Sequence, residues 1–214
     1  AEGMFPTSIN PVVGECHDGR LSDLARRPVR LEHVRRAFEA ACEDFEEGAV
    51  GAGRGMICHG LKGGVGSASR LISVGDETFT LGVLALTNHG SLADLRIDGE
   101  AVGKSLLARL QPKEDDDKGS VIVLVATDLP VTDRQLRRIL RRAPVGLARC
   151  GSIIGHGSGD IMLGFSTAAD IAHEGGEPVR TQRVLREDLL EHAFRAVAEC
   201  CEESVLNSLI CARE

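Results

Sequence analysis

A serine set directly behind a charged run and at the head of an apolar one is placed to become a chain terminus. Residues 112–118, Pro-Lys-Glu-Asp-Asp-Asp-Lys, read as a solvated loop. Gly119-Ser120 follows, and residues 121–128, Val-Ile-Val-Leu-Val-Ala-Thr-Asp, read as a buried strand. If the chain is cut between Gly119 and Ser120, the serine carries a hydroxyl nucleophile and a free α-amine that can act as its base. That is the chemistry of self-processing hydrolases. Taken alone, a glycine and a serine before a strand are also ordinary turn residues, so the reading depends on what accompanies them.

Four segments accompany Ser120 in a fixed order. Residues 11–19 read PVVGECHDG, and residues 55–70 read GMICHGLKGGVGSASR. Residues 81–90 read LGVLALTNHG, and the Gly119-Ser120 strand is followed by IGHGSGDI at 154–161. Jointly they resemble the self-processing L-aminopeptidase/D-esterase family, which includes the β-peptidyl aminopeptidases and nylon-oligomer hydrolases. The resemblance implies an α+β fold, a four-layer α-β-β-α sandwich of the amino-terminal-nucleophile type. It also implies that residues 1–214 form one catalytic domain, cleaved by itself into 1–119 and 120–214 through an N-to-O acyl shift. Family precursors extend further upstream, so that part of the family domain is expected to be absent here.

The same resemblance assigns roles. Ser120 is the nucleophile, and Gly119-Ser120 is the autoproteolysis site, where a glycine tolerates a strained backbone. Ser158 and Asp160 match the second active-site serine and its acidic neighbour, a pair able to relay or stabilise a proton beside a nucleophile. Asp160 stands where the family also uses Glu. Asn88 matches the asparagine of an oxyanion hole, whose amide N–H stabilises the tetrahedral intermediate. Glu15 matches a carboxylate that holds the substrate's free ammonium. His17 departs from the pattern, because many relatives carry Tyr there and this chain has no tyrosine. The implied substrate is a small peptide, amide or ester with a free amino terminus, and the implied assembly is a homo-oligomer of processed heterodimers. Two other readings stay open: an unprocessed relative serving as a binding or scaffold subunit, and an acyltransferase using the same nucleophile. The run Lys62-Gly63-Gly64-Val65-Gly66-Ser67 is not a phosphate loop, since its lysine precedes the glycines and strands follow it. It is expected to serve close backbone packing.

The elements that must position these groups are readable by periodicity. Apolar residues from Leu31 to Phe45 predict an amphipathic helix over 31–46. Residues 70–74 and 79–87 predict a hairpin around Gly75-Asp76. Residues 95–102 suggest another short strand pair. Thr132 and Gln135 have capping-box spacing at a helix start, and Pro144 is expected to kink or split that helix. Residues 161–165 predict a strand and residues 187–211 a long helix. Strands and helices mixed with hairpin signals favour layered sheets under helices over a doubly wound parallel sheet.

Composition narrows the function classes. A net charge of −7, with six Phe and neither Trp nor Tyr, argues against nucleic-acid partners. No apolar run approaches a membrane span, and the start Ala1-Glu2-Gly3 lacks a signal pattern. Seven cysteines without Cys-x-x-Cys spacing fit buried thiols in a reducing, cytoplasmic setting. The seven histidines are dispersed, so neither a metal nor another cofactor is expected. His59 and His156 are read as structural, and Cys200-Cys201 as packing residues on the last helix.

Overall fold

A computed structural model describes residues 11–112, 119–169 and 178–213. Its centre is a four-stranded sheet. Gly75, at φ +60°, makes the turn that folds β3 (Val65–Val74) against β4 (Glu77–Asn88). β4 then pairs antiparallel with β5 (Ser120–Thr127), and β5 pairs parallel with β6 (Gly159–Ser166), giving the order β3-β4-β5-β6. A two-stranded hairpin, β1 (Ile57–Cys58) with β2 (Leu61–Lys62), lies beside the end of β4.

Alternation decides which face is covered. Leu81, Val83 and Ala85 of β4 and Val121, Val123 and Val125 of β5 are buried against the helices. The principal cover is α5 (Leu190–Ile210), which crosses β3 and β4 and carries α3 (Asp133–Leu140) and α4 (Ala143–Arg149) beside it. Both Cys200 and Cys201 are fully buried on α5, as their packing role requires. The helix sits close because glycines face it. A Cβ on Gly66 would come within 2.0 Å of the Ser204 carbonyl oxygen, and one on Gly146 within 2.4 Å of the Ala198 carbonyl oxygen. Gly66→Ala should therefore push α5 off the sheet. Overpacking typically costs about 1–3 kcal/mol, and the obstacle here is backbone. A urea midpoint lowered relative to the parent chain is the expected reading, with an unchanged midpoint counting against this contact.

Several predicted elements shift. The hairpin, the strand at 161–165 and the last helix are present with somewhat wider or adjusted bounds. The Thr132–Gln135 capping box forms, and Pro144 splits the helical region into α3 and α4, standing in the first turn of α4. The helix expected over 31–46 ends early: α1 runs Leu31–Glu39, and none of its residues is buried. Its apolar stripe, with Phe38 at 86% exposure, meets no packing surface among the described residues, and tertiary burial is what normally sustains an amphipathic helix. The strand pair suggested at 95–102 is a single bridge, Ile97 to Glu100. Beyond it lies α2 (Val102–Leu110), where Gly103 approaches the Leu92 carbonyl too closely for a side chain. The acidic run at 113–118 lies outside the described residues.

The second face of the sheet is apolar too, with Leu84, Leu86, Ile122, Leu124, Leu163 and Phe165 on it. It is covered at one end. There Cys16, Met56, Leu86, Val65 and Ile122 form a small cluster, and Gly14 lets the segment before it lie against Ile122. The chain is thus α+β, with one four-stranded sheet and one helical layer among the described residues.

Candidate active site

Ser120 is the first residue of β5, so two neighbours are dictated by strand register. Asn88, the last residue of β4, stands opposite it on one side, and Gly159, the first residue of β6, on the other. The Gly159 N–H donates to the Gly119 carbonyl at 3.0 Å, on the bond that self-cleavage would break. Gly119 itself does not occupy the left-handed region, so the strain expected there is not what demands glycine. The demand is space: a Cβ would lie 1.8 Å from the Asn88 carbonyl oxygen.

The hydroxyl of Ser120 is buried and makes no hydrogen bond of ordinary geometry. The Cys16 thiol faces it. Burial pushes that thiol up, and its interaction with the Ser120 hydroxyl pulls it part of the way back. Cys16 was legible only as a buried thiol. The signal for more was local, because in an extended segment residue 16 points opposite to 15 and 17. Accordingly Glu15 and His17 are exposed while Cys16 is 7% exposed.

Asn88 is 7% exposed and ties three segments together. Its Oδ1 accepts from the Ile57 N–H at 3.0 Å, and its Nδ2 donates to the His17 carbonyl at 2.9 Å. His17 therefore touches Asn88 through its backbone, an interaction any residue type could make. Glu15 lies two residues before that carbonyl, on the same stretch, and its charge reaches Cys16.

Ser158 and Asp160 come to the same sheet end through β6. Ser158 Oγ donates to Asp160 Oδ1 at 2.8 Å, while Asp160 Oδ2 is buried without a hydrogen-bond partner. Asp160 pairs with Val121, so it is one step along from Ser120 and on the alternate face. Two buried oxygens without a hydrogen bond of ordinary geometry, Ser120 Oγ and Asp160 Oδ2, thus lie at the starts of adjacent strands. Buried polar atoms without partners are rare and call for an explanation in function or strain.

Lys62 is spent on structure. Its ammonium donates to the carbonyls of Gly53, Met56 and Gly63 at 2.8, 3.1 and 2.7 Å, using all three protons, and burial lowers its pKa. The expected close packing is there as well: a Cβ on Gly63 would lie 2.5 Å from the Thr87 carbonyl oxygen, next to Asn88. His156 is exposed, and His59 is buried with Nδ1 2.9 Å from the Ser91 carbonyl oxygen.

The fold belongs to a class, the amino-terminal-nucleophile hydrolase fold. An Ochrobactrum anthropi L-aminopeptidase D-Ala-esterase/amidase, described as a prototype of the serine aminopeptidases and a new variant of that fold, superposes with a TM-score of 0.83 at 37% identity, over 92% of this chain and 54% of that one. A Pyrococcus horikoshii OT3 protein matches with a TM-score of 0.89 at 45% identity, over 99% of this chain and 57% of that one. Among sequence relatives, beta-peptidyl aminopeptidase BapA of Sphingosinicella microcystinivorans is 37% identical over 94% of this chain and 54% of its own length. The model of peptidase family S58 matches residues 1–214, and the chain belongs to that family. It spans about half the length of the curated relatives it matches.

Proposed function

We propose that this chain carries the catalytic centre of a self-processing serine hydrolase that releases amino-terminal residues from small peptides, amides or esters. The observation that carries the reading is the buried Ser120 hydroxyl, faced by the Cys16 thiol, beside a Gly119 carbonyl already held by the Gly159 N–H. In self-cleavage the Ser120 oxygen adds to the Gly119 carbonyl carbon, and its proton passes to the departing backbone nitrogen. The peptide bond becomes an ester, which water then hydrolyses to a Gly119 carboxylate and a free Ser120 amine. In turnover that amine takes the hydroxyl proton as Ser120 attacks the substrate, and returns it to the leaving group. An α-amine with an ordinary pKa of about 8 suits the task near neutral pH.

Asn88 supplies the oxyanion contact. One Nδ2 hydrogen is held by the His17 carbonyl, which orients the amide and leaves the other to donate. The Ser158–Asp160 pair holds a hydroxyl and a carboxylate where a proton can be relayed. Glu15 receives the substrate's ammonium, which sets the register for removing one residue. Mass spectrometry under denaturing conditions tests the scheme. The expected result is two polypeptides, the second beginning Ser-Val-Ile-Val, and a single chain with full hydrolase activity would overturn it.

The ammonium contact gives its own prediction. Removing one partner of a charged hydrogen-bonded pair typically costs roughly 2–5 kcal/mol, a loss of about thirty-fold or more in kcat/KM. Glu15→Gln should show that loss on a free aminoacyl anilide, and acetylating the substrate should do the same to the parent enzyme. Self-cleavage should be nearly unaffected, because there the chain is its own substrate. Equal turnover of free and acetylated anilides would exclude an aminopeptidase. Adding an amine acceptor to the assay separates hydrolysis from acyl transfer.

A further inference from the structure

The end of β4 carries a second cluster of chemically capable side chains, on residues the reaction above does not use. We propose that Cys58, His59 and His89 form a site for one zinc ion, bound by a thiolate and two neutral imidazoles. All three residues are buried, and their candidate ligand atoms lie within 4.8 Å of one another. A tetrahedral ion with metal–ligand lengths of about 2.0–2.3 Å needs neighbouring ligand atoms about 3.3–3.7 Å apart. The side chains therefore have to draw in by only about 1 Å. The donor set selects the metal class. One sulfur and two nitrogens suit zinc, whereas calcium and magnesium require oxygen.

The surroundings fit a ligand set. The Nδ1 atom of His59 faces the Ser91 carbonyl at 2.9 Å; a carbonyl only accepts, so Nδ1 carries the proton and Nε2 presents its lone pair. A backbone carbonyl behind a histidine is the usual support for a metal-bound imidazole. His89 is 2% exposed, and neither of its ring nitrogens has a hydrogen-bond partner. Such a group is expensive to bury unless something binds it.

Backbone geometry holds the two halves together. The His59 N–H donates to the His89 carbonyl at 2.8 Å. The rings meet edge to face with centroids 5.5 Å apart. Gly90, at φ +85°, leaves room for the His59 ring, since a Cβ there would lie 2.5 Å from it. No fourth Cys, His, Asp or Glu joins the group among the described residues. The ion would clamp the β1–β2 turn to the residue after Asn88. Its role is positional, and zinc binding does not depend on the reaction assigned to Ser120.

The buried setting implies that metal enters as the chain folds. The test is to refold the chain with cobalt(II) as a spectroscopic substitute for zinc, dialyse, and record metal content and absorption. The expected result is one retained ion per chain, with intense tetrahedral visible bands and a sulfur-to-cobalt charge-transfer band. Cys58→Ser should abolish the charge-transfer band. His89→Gln should weaken retention by more than the roughly 10–100-fold that loss of an outer-shell partner causes. Failure of the parent chain to retain stoichiometric cobalt or zinc overturns the proposal, whatever the variants do. So does a thiolate band that survives Cys58→Ser, since it would place the ion elsewhere.

Discussion

Ser120→Ala should leave the chain in one piece and without turnover. In the proposed mechanism one hydroxyl serves both steps, so both should disappear together, with a loss in kcat on the order of 10⁴-fold or more, as for other covalent nucleophiles. Stability should change little, because the hydroxyl makes no ordinary hydrogen bond to lose. Ser120→Cys should keep partial self-cleavage, since a thiol is also a competent nucleophile. The measurement is a time course of chain integrity beside anilide hydrolysis. A Ser120→Ala chain that still hydrolyses aminoacyl substrates would require another nucleophile.

Gly119→Ala should stall self-cleavage while sparing the enzyme once cleaved. The added methyl meets the backbone of Asn88 at 1.8 Å and that of His89 at 3.2 Å, so the Gly119–Ser120 link has to move away from β4. Moving it misaligns the carbonyl that the Gly159 N–H holds. A displacement of about 1 Å at a reacting centre can cost around a hundred-fold in rate. After cleavage residue 119 is no longer attached to Ser120, so turnover per cleaved chain should be close to that of the parent. The informative comparison is cleaved fraction against activity per cleaved chain. If the first is unchanged, the close approach to Asn88 has no bearing on processing.

The helix on 31–46 shows where reading by period fails. Its apolar spacing is genuine, yet a stripe needs a surface to bury against, and none of the described elements supplies one to α1. α2 was missed for the converse reason. Its short run VGKSLLARL has a weak stripe, and its position is set by Gly103 lying against the Leu92 carbonyl. By contrast, β5 and the capping box at Thr132 depend on neighbours in sequence, and both formed.

The sequence by itself determined the types of group available, the strand that begins at Ser120, and the order of the motifs around it. These are properties of local spacing and of residue chemistry. The tertiary structure alone decided which groups meet. Strand pairing set Asn88 and Gly159 on either side of Ser120, from positions 32 residues before and 39 after it. The packing of residues 14–17 over Ile122 brought the Cys16 thiol to the Ser120 hydroxyl. The same return of β4 brought His89 to Cys58 and His59, which dispersed histidines in a sequence could not reveal. The physical reason is that hydrogen-bonded register and close glycine contacts act between residues distant along the chain, where no local period records them.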